Sequence, residues 1–363
     1  MGRYPPCFAN KYYENGGFHP PYRSHSMKPL LCLTLIWTFC LVMLGAYVRL
    51  SDAGLGCPDW PGCYGQLGAP DEAHEIARAS ANFGRDMSGE IEPAKGWKEM
   101  IHRYFAGGLG ILVLAVCCLL WQKRQQLSRI SILLPLAVII FQALLGMWTV
   151  TMKLMPVVVT AHLLGGMTLL AMLTWLSARA TLAPQLPGQL RPLLIISLIA
   201  IVLQIALGGW VSTNYAALAC NGFPLCQGSL AAPAGLSEAM QPIRELGQTA
   251  GGDALTIHHL AAIHWLHRLG AVLLLACLSV LIWQLRKASP KWAGLIAAAL
   301  LLQISLGISN VWLDLPLPLA VAHNGGAAIL LMLVVAALAQ VLPIHQQATS
   351  SVFNTASPKH SGA

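Results

Sequence analysis

The chain has 363 residues, of which 56% are hydrophobic and only 10% charged, with a mean hydropathy of +0.62. Soluble domains carry about 25% charged residues, so this composition excludes an ordinary water-soluble protein. The net charge of +8 would suit nucleic acid, but its distribution argues for no nucleic-acid partner and for membrane lipids as the surroundings.

The first stretch, residues 1–26, is polar and rich in Pro, Tyr and Gly, and is expected to be a disordered cytoplasmic segment. Met27 is a candidate start, in which case the preceding residues carry no function. Apolar runs of the length needed to cross a bilayer, about 20 residues each, occur eight times, near 30–50, 100–121, 130–150, 157–177, 192–212, 260–284, 292–312 and 317–342. The first is not a cleaved signal peptide, because Leu44-Gly45-Ala46-Tyr47-Val48-Arg49 continues it where a small-residue cleavage site would stand.

Lys123, Arg124 and Arg129 follow the second run, Arg179 and Arg191 the fourth, and Arg286, Lys287 and Lys291 the sixth. Short basic connections face the cytoplasm. That places both termini inside, including a tail at 344–363, and the two long loops, 51–98 and 213–258, outside.

The two halves repeat. Leu44 to Val48, leading to Cys57 and Cys63, matches Leu207 to Val211, leading to Cys220 and Cys226, at an offset of about 163 residues. Ile101-His102-Arg103 matches Leu266-His267-Arg268, and Gln142 with His162 matches Gln303 with His323. Repeats of four spans return the chain to the same side, so the copies are parallel. The expected fold is an all-α integral membrane protein: eight transmembrane helices as two pseudo-symmetric four-helix bundles, at 27–178 and 192–343.

His102, His162, His267 and His323 each lie near the outer end of an even-numbered span, at one expected depth. Ionisable groups inside a membrane are expensive and face a bundle interior with a partner. A single such His serves hydrogen bonding as readily as ligation. Two imidazoles from facing helices suit a haem iron, and imidazole also suits copper or zinc; no further ligand recurs in both halves to complete a copper or zinc site. Arg103 and Arg268 could pair with propionates or snorkel to lipid phosphates. Glu99 lies one helical turn before His102, whereas His264 holds the matching place before His267. An acid there is either a proton carrier or a helix-start residue favoured by the dipole.

Cys32, Cys40, Cys117, Cys118 and Cys277 fall in apolar spans and read as small core residues. Cys57 with Cys63, and Cys220 with Cys226, lie in the outer loops with Pro between each pair, where disulfides are favoured over a tetrahedral zinc site.

Glu99-Met100-Ile101-His102-Arg103, Thr160-Ala161-His162, His267-Arg268, Ala322-His323-Asn324 and the stretch from Leu50 through Cys57 to Cys63 together resemble the haem A synthase family, over about residues 27–343. The resemblance implies an oxidoreductase of the bacterial inner membrane that oxidises the C8 methyl of haem O to a formyl group, giving haem A for terminal oxidases. It implies a haem b cofactor on His267 and His323, and a substrate site in the first half with His102, His162, Arg103 and the catalytic acid Glu99. Cys57 and Cys63 match a pair implicated in activity, and Cys220 and Cys226 a more structural pair. Haem O synthase and terminal-oxidase assembly factors are the expected protein partners. Two other readings stand beside it: a bis-haem cytochrome exchanging electrons with quinone, and a membrane thiol oxidoreductase using the outer cysteines.

Overall fold

The computed structural model describes residues 27–84, 90–122, 129–182, 185–220 and 222–341. The segment 1–26, the tail 344–363, and Lys123 and Arg124 lie outside the described residues. In chain order the helices are α1 (Met27–Leu50), α2 (Ala73–Phe83), α3 (Pro93–Trp121), α4 (Arg129–Thr151), α5 (Pro156–Thr181), α6 (Arg191–Thr213), α7 (Leu236–Ala239), α8 (Ile257–Ala288), α9 (Pro290–Trp312) and α10 (Leu317–Ala339). All but α2 and α7 are long and apolar enough to cross a membrane, eight in number among the described residues. The protein is a multi-pass, all-helical membrane protein, and no β-strand runs through the described residues.

The apolar runs become helices because lipid offers the backbone no hydrogen-bond partners, so each span must satisfy its own N–H and C=O groups. Proline opens five of them, in the first turn of α3, α5, α6, α9 and α10, where its missing N–H costs nothing and its φ is already helical. Helix α3 starts well before its apolar run, at Pro93, and α8 starts before its own, at Ile257. The extra turns are held by the loops. Trp97 and Met100 of α3 pack with Cys57, Cys63, Tyr64 and Phe83, and Leu260 and Ala261 of α8 pack with Cys220 and Cys226. Helix α2 is also a loop element, and Glu72 and Glu75 close a reciprocal capping box at its start.

Helix α1 packs on α3 and α5, and α4 bridges those two; in the second half α6 packs on α8 and α10, and α9 bridges those. The halves meet through α1 on α10, α5 on α10 and α5 on α6. Small residues allow the close approach that membrane helices need in the absence of a hydrophobic drive between them. A Cβ on Gly209 of α6 would lie 3.0 Å from Leu163 of α5, and one on Gly325 of α10 would collide with Met43 of α1.

Loop conformations repeat as well. The α4–α5 turn holds Lys153 and Leu154 at φ 47° and 58°, and the α9–α10 turn holds Asp314 and Leu315 at 55° and 61°. Corresponding positions also touch across the halves. Arg49 donates to the Ser212 carbonyl at 2.7 Å, and the Tyr215 hydroxyl donates to Asp52 at 2.8 Å.

Candidate functional site

All four histidines stand near one end of the helix assembly, the end that bears the cysteine loops: His102 on α3, His162 on α5, His267 on α8 and His323 on α10. His102 and His162 belong to the first half and His267 and His323 to the second, two rings in each.

Each ring lies over a glycine of the preceding spanning helix (α1, α4, α6 or α9), which leaves no side chain in the way. A Cβ on Gly45 would sit 3.0 Å from Cε1 of His102, on Gly146 3.5 Å from that of His162, on Gly208 3.1 Å from that of His267, and on Gly307 3.0 Å from that of His323. Four residues before three of these glycines stands a glutamine: Gln142, Gln204 and Gln303. Nε2 of Gln204 lies 3.0 Å from Nδ1 of His267 and donates to the His267 carbonyl at 2.9 Å; Nε2 of Gln303 lies 3.4 Å from Nε2 of His323.

The cysteine loops cover the histidine end of the helices. Cys57 and Cys63 form one disulfide, and Cys220 and Cys226 form the other. Each loop closes with a bridge at its second cysteine, Cys63 to Gln66 and Cys226 to Ser229. The turn within each bridge requires a left-handed glycine, Gly65 at φ 74° and Gly228 at φ 80°. Outside the membrane-spanning part, burial raises the pKa of the Tyr64 phenol, with the charges of Glu99 and Asp59 pushing the same way.

Arginine ties each loop to its histidine helix. Arg103 donates to the Asp59 carbonyl at 2.9 Å, to the Gly62 carbonyl and to the Glu99 carboxylate. Arg268 donates to the carbonyls of Cys220 at 3.0 Å, Gly222 at 2.9 Å and Leu225 at 3.0 Å. Its Nε donates to Nε2 of His264 at 3.3 Å. Both guanidinium groups are therefore engaged by protein acceptors.

Glu99 is only 5% exposed, and the second oxygen of its carboxylate accepts the backbone N–H of Cys57 at 3.0 Å. It stands well inside α3, so it is not the helix-start acid that the dipole would favour. One half has a buried carboxylate under its loop, and the other has the imidazole of His264, 6% exposed.

The remaining cysteines depart from expectation. Of the five in spans, Cys117 alone is buried, while Cys32, Cys40 and Cys118 are exposed on helix surfaces that would face lipid. Among the described residues no group of three or more His, Cys, Asp or Glu comes together as a metal site. The feature that sequence reasoning missed is Gln204. Its signal was present: a Gln-x-x-x-Gly pattern on three odd-numbered spans, each ahead of a His-x-x-Gly on the next.

Residues 28–335 match the model of COX15-CtaA, a cytochrome oxidase assembly protein family. A protein of Shewanella oneidensis named "Heme A synthase" is 45% identical over 313 residues, which cover 84% of this chain and 94% of that protein. Proteins of the same name from Chelativorans sp. and Halalkalibacterium halodurans are each 28% identical, over 83% and 82% of this chain and 87% and 91% of theirs. This chain belongs to the COX15-CtaA family.

Proposed function

We propose that this chain is a haem A synthase, a membrane oxidoreductase that converts the C8 methyl of haem O to the formyl group of haem A. Family membership and the 45% identity to the Shewanella oneidensis protein support the activity. The division of labour rests on one observation: the two halves match ring for ring, but only the first puts a buried carboxylate, Glu99, beside its histidines. In this reading residues 27–178 form the substrate bundle, with His102 and His162 flanking haem O. Residues 192–343 form the bundle that would keep haem b, held by His267 and His323.

The residues suit such groups. Nδ1 of His102, His162 and His323 is buried without a protein partner, an arrangement that costs free energy unless something else engages the ring. Imidazole is a normal haem ligand. Haem b, when bound, supplies one-electron redox chemistry.

The chain's own residues bind, aim and screen. Going from methyl to formyl removes two electron pairs from the carbon and adds an oxygen atom, so the reaction needs an electron acceptor and an oxygen donor from outside the chain; Glu99 takes up protons released as the carbon is oxidised. Arg103 holds one oxygen of that carboxylate and the Cys57 N–H holds the other, so its direction is fixed before substrate arrives. With its remaining donors on the Asp59 and Gly62 carbonyls, Arg103 serves the substrate site by keeping the cysteine loop over His102 and water out.

The test is extraction and chromatography of haems from purified protein, before and after haem O is supplied. Haem A should appear while haem b stays constant. Recovery of haem O unchanged, with haem b in both halves, would replace this reading with an electron-carrying cytochrome. We place the protein in the bacterial inner membrane with both termini cytoplasmic. An exported reporter fused at residue 235 should be active and one at residue 126 silent; the reverse result would invert the orientation.

A further inference from the structure

The four histidines share a setting that is complete at three and broken at one. At the three, one spanning helix (α4, α6 or α9) carries Gln-x-x-x-Gly and the next spanning helix (α5, α8 or α10) carries His-x-x-Gly. The glycine of the first motif lies against the ring. The glycine of the second makes room for the amide: a Cβ on Gly165, Gly270 or Gly326 would collide with the side chain of Gln142, Gln204 or Gln303 respectively. At His102 both halves of the device are replaced. Leu41 stands four residues before Gly45, and Phe105 stands three after the histidine, stacked on Trp37 with ring centroids 5.0 Å apart.

The hydrogen bonds follow the same division. In the second half both rings have an amide within reach, Gln204 at His267 and Gln303 at His323. In the first half Nε2 of Gln142 is buried without a partner and Leu41 offers none. An imidazole bound to a metal through one nitrogen needs its other nitrogen engaged, because that bond sets the tautomer and ring direction. An amide suits this task, since it can present either its NH2 or its oxygen; Oε1 of Gln204 is buried and unpartnered beside the ring.

We propose that Gln204 is a positioning residue that makes the second histidine pair a retaining site, and that Leu41 in the matching place leaves His102 a releasable ligand. The proposal rests on the reading that His267 and His323 hold haem b and that the first pair receives haem O. It accounts for how one chain keeps one haem while letting another built on the same macrocycle leave. The ring of His102, with Leu41 where the other three sites have glutamine, ligates without being locked.

The experiment is haem transfer from purified holoprotein to excess apomyoglobin, followed by absorbance, with the low-spin spectrum of the remaining haem recorded in parallel. Partners of metal-bound histidine typically contribute 10–100-fold in affinity. Gln204→Met, similar in size but without the amide, should speed loss of haem b by about that factor and broaden the low-spin signal. Gln204→Glu, which restores an acceptor, should return both toward the parent. Leu41→Gln should slow release of haem from the first half. Parent-like transfer and spectrum in Gln204→Met, in a protein from which His267→Leu still removes haem b, would overturn the positioning role and leave the ligand assignment standing. If His267→Leu itself keeps a normal haem b spectrum, the underlying reading fails instead. Should Gln204→Met not fold, unchanged release from Leu41→Gln would by itself overturn the proposal.

Discussion

The first and second histidine sites are built from the same parts, and they differ in what surrounds the rings. Both have two imidazoles over glycines, a disulfide loop, and an arginine clamping that loop through backbone carbonyls. In the first, the clamp also holds a carboxylate that reaches the loop at Cys57; in the second it holds a neutral imidazole. In the second, amides approach both rings; in the first, no side chain hydrogen-bonds to either ring among the described residues. The two halves thus share a pattern and differ at a few positions. On the proposed reading, the acid stands where a proton would move, and the amides bonded to rings stand where a group would stay.

The largest effect should come from the ligands themselves. His267→Leu or His323→Leu should abolish bound haem b, because each removes one of the two imidazoles that would hold the group. His102→Leu should leave haem b in place and stop haem A formation. Absorbance spectra of the purified variants decide this, and a normal low-spin spectrum in His267→Leu would show that the retaining site lies elsewhere.

Glu99→Gln comes next. It keeps the side chain's shape and a carbonyl oxygen for the Cys57 N–H, but removes the base. General-base contributions are typically about 10²–10⁴-fold in rate. Haem A should fall by that order while haem b stays near the parent level, with haem O or its partly oxidised form accumulating on chromatography. Haem A at the parent rate would reduce Glu99 to an anchor for Arg103.

The arginines sharpen the comparison through stability. Arg268→Ala loses hydrogen bonds to three carbonyls and leaves behind a neutral His264, a loss of about 1–3 kcal/mol if a single unsatisfied group dominates. Arg103→Ala also strands the Glu99 carboxylate without its cation in a buried place, and removing one partner of such a pair typically costs about 3–5 kcal/mol. Thermal melting in detergent should therefore rank Arg103→Ala below Arg268→Ala. Equal melting temperatures would mean that Glu99 finds water or another donor.

Much of this was legible in the chain, for physical reasons. A membrane span must be apolar over its full length, so the eight runs announce themselves, and the observed helices match them closely. The histidines stood out because an ionisable group in an apolar run has few reasons to be there. Arg103 and Arg268 were ambiguous, because a long cation at a membrane edge has several possible anchors, and only the folded loops show the carbonyls it meets. Helix α2 escaped notice because the cap that starts it, Glu72 with Glu75, is short and polar like the loop around it. Gln204 escaped because a lone glutamine carries no charge to betray it, and its meaning depends on the glycine at position 270 of another helix. The exposed Cys32, Cys40 and Cys118 show the opposite limit: in lipid an apolar residue reads the same whether it faces a neighbour or the bilayer.

The smallest effects should separate the two disulfides. Each closes a loop with a sequence separation of only 6 residues, and the chain-entropy relation gives about 2 kcal/mol for so short a loop. Replacing Cys220 and Cys226 together with serine should therefore lower the melting temperature and leave haem A formation per folded molecule unchanged. That pair contacts the Ala261 carbonyl and packs with Ala219 and Leu260, and no acid lies beneath it. Replacing Cys57 and Cys63 should lower stability by a similar amount and should also reduce turnover, because the backbone N–H that fixes Glu99 belongs to Cys57 itself. Turnover measured against folded protein, at a temperature well below both melting points, isolates the difference. Equal turnover in the two double variants would mean that Arg103 alone suffices to aim the carboxylate.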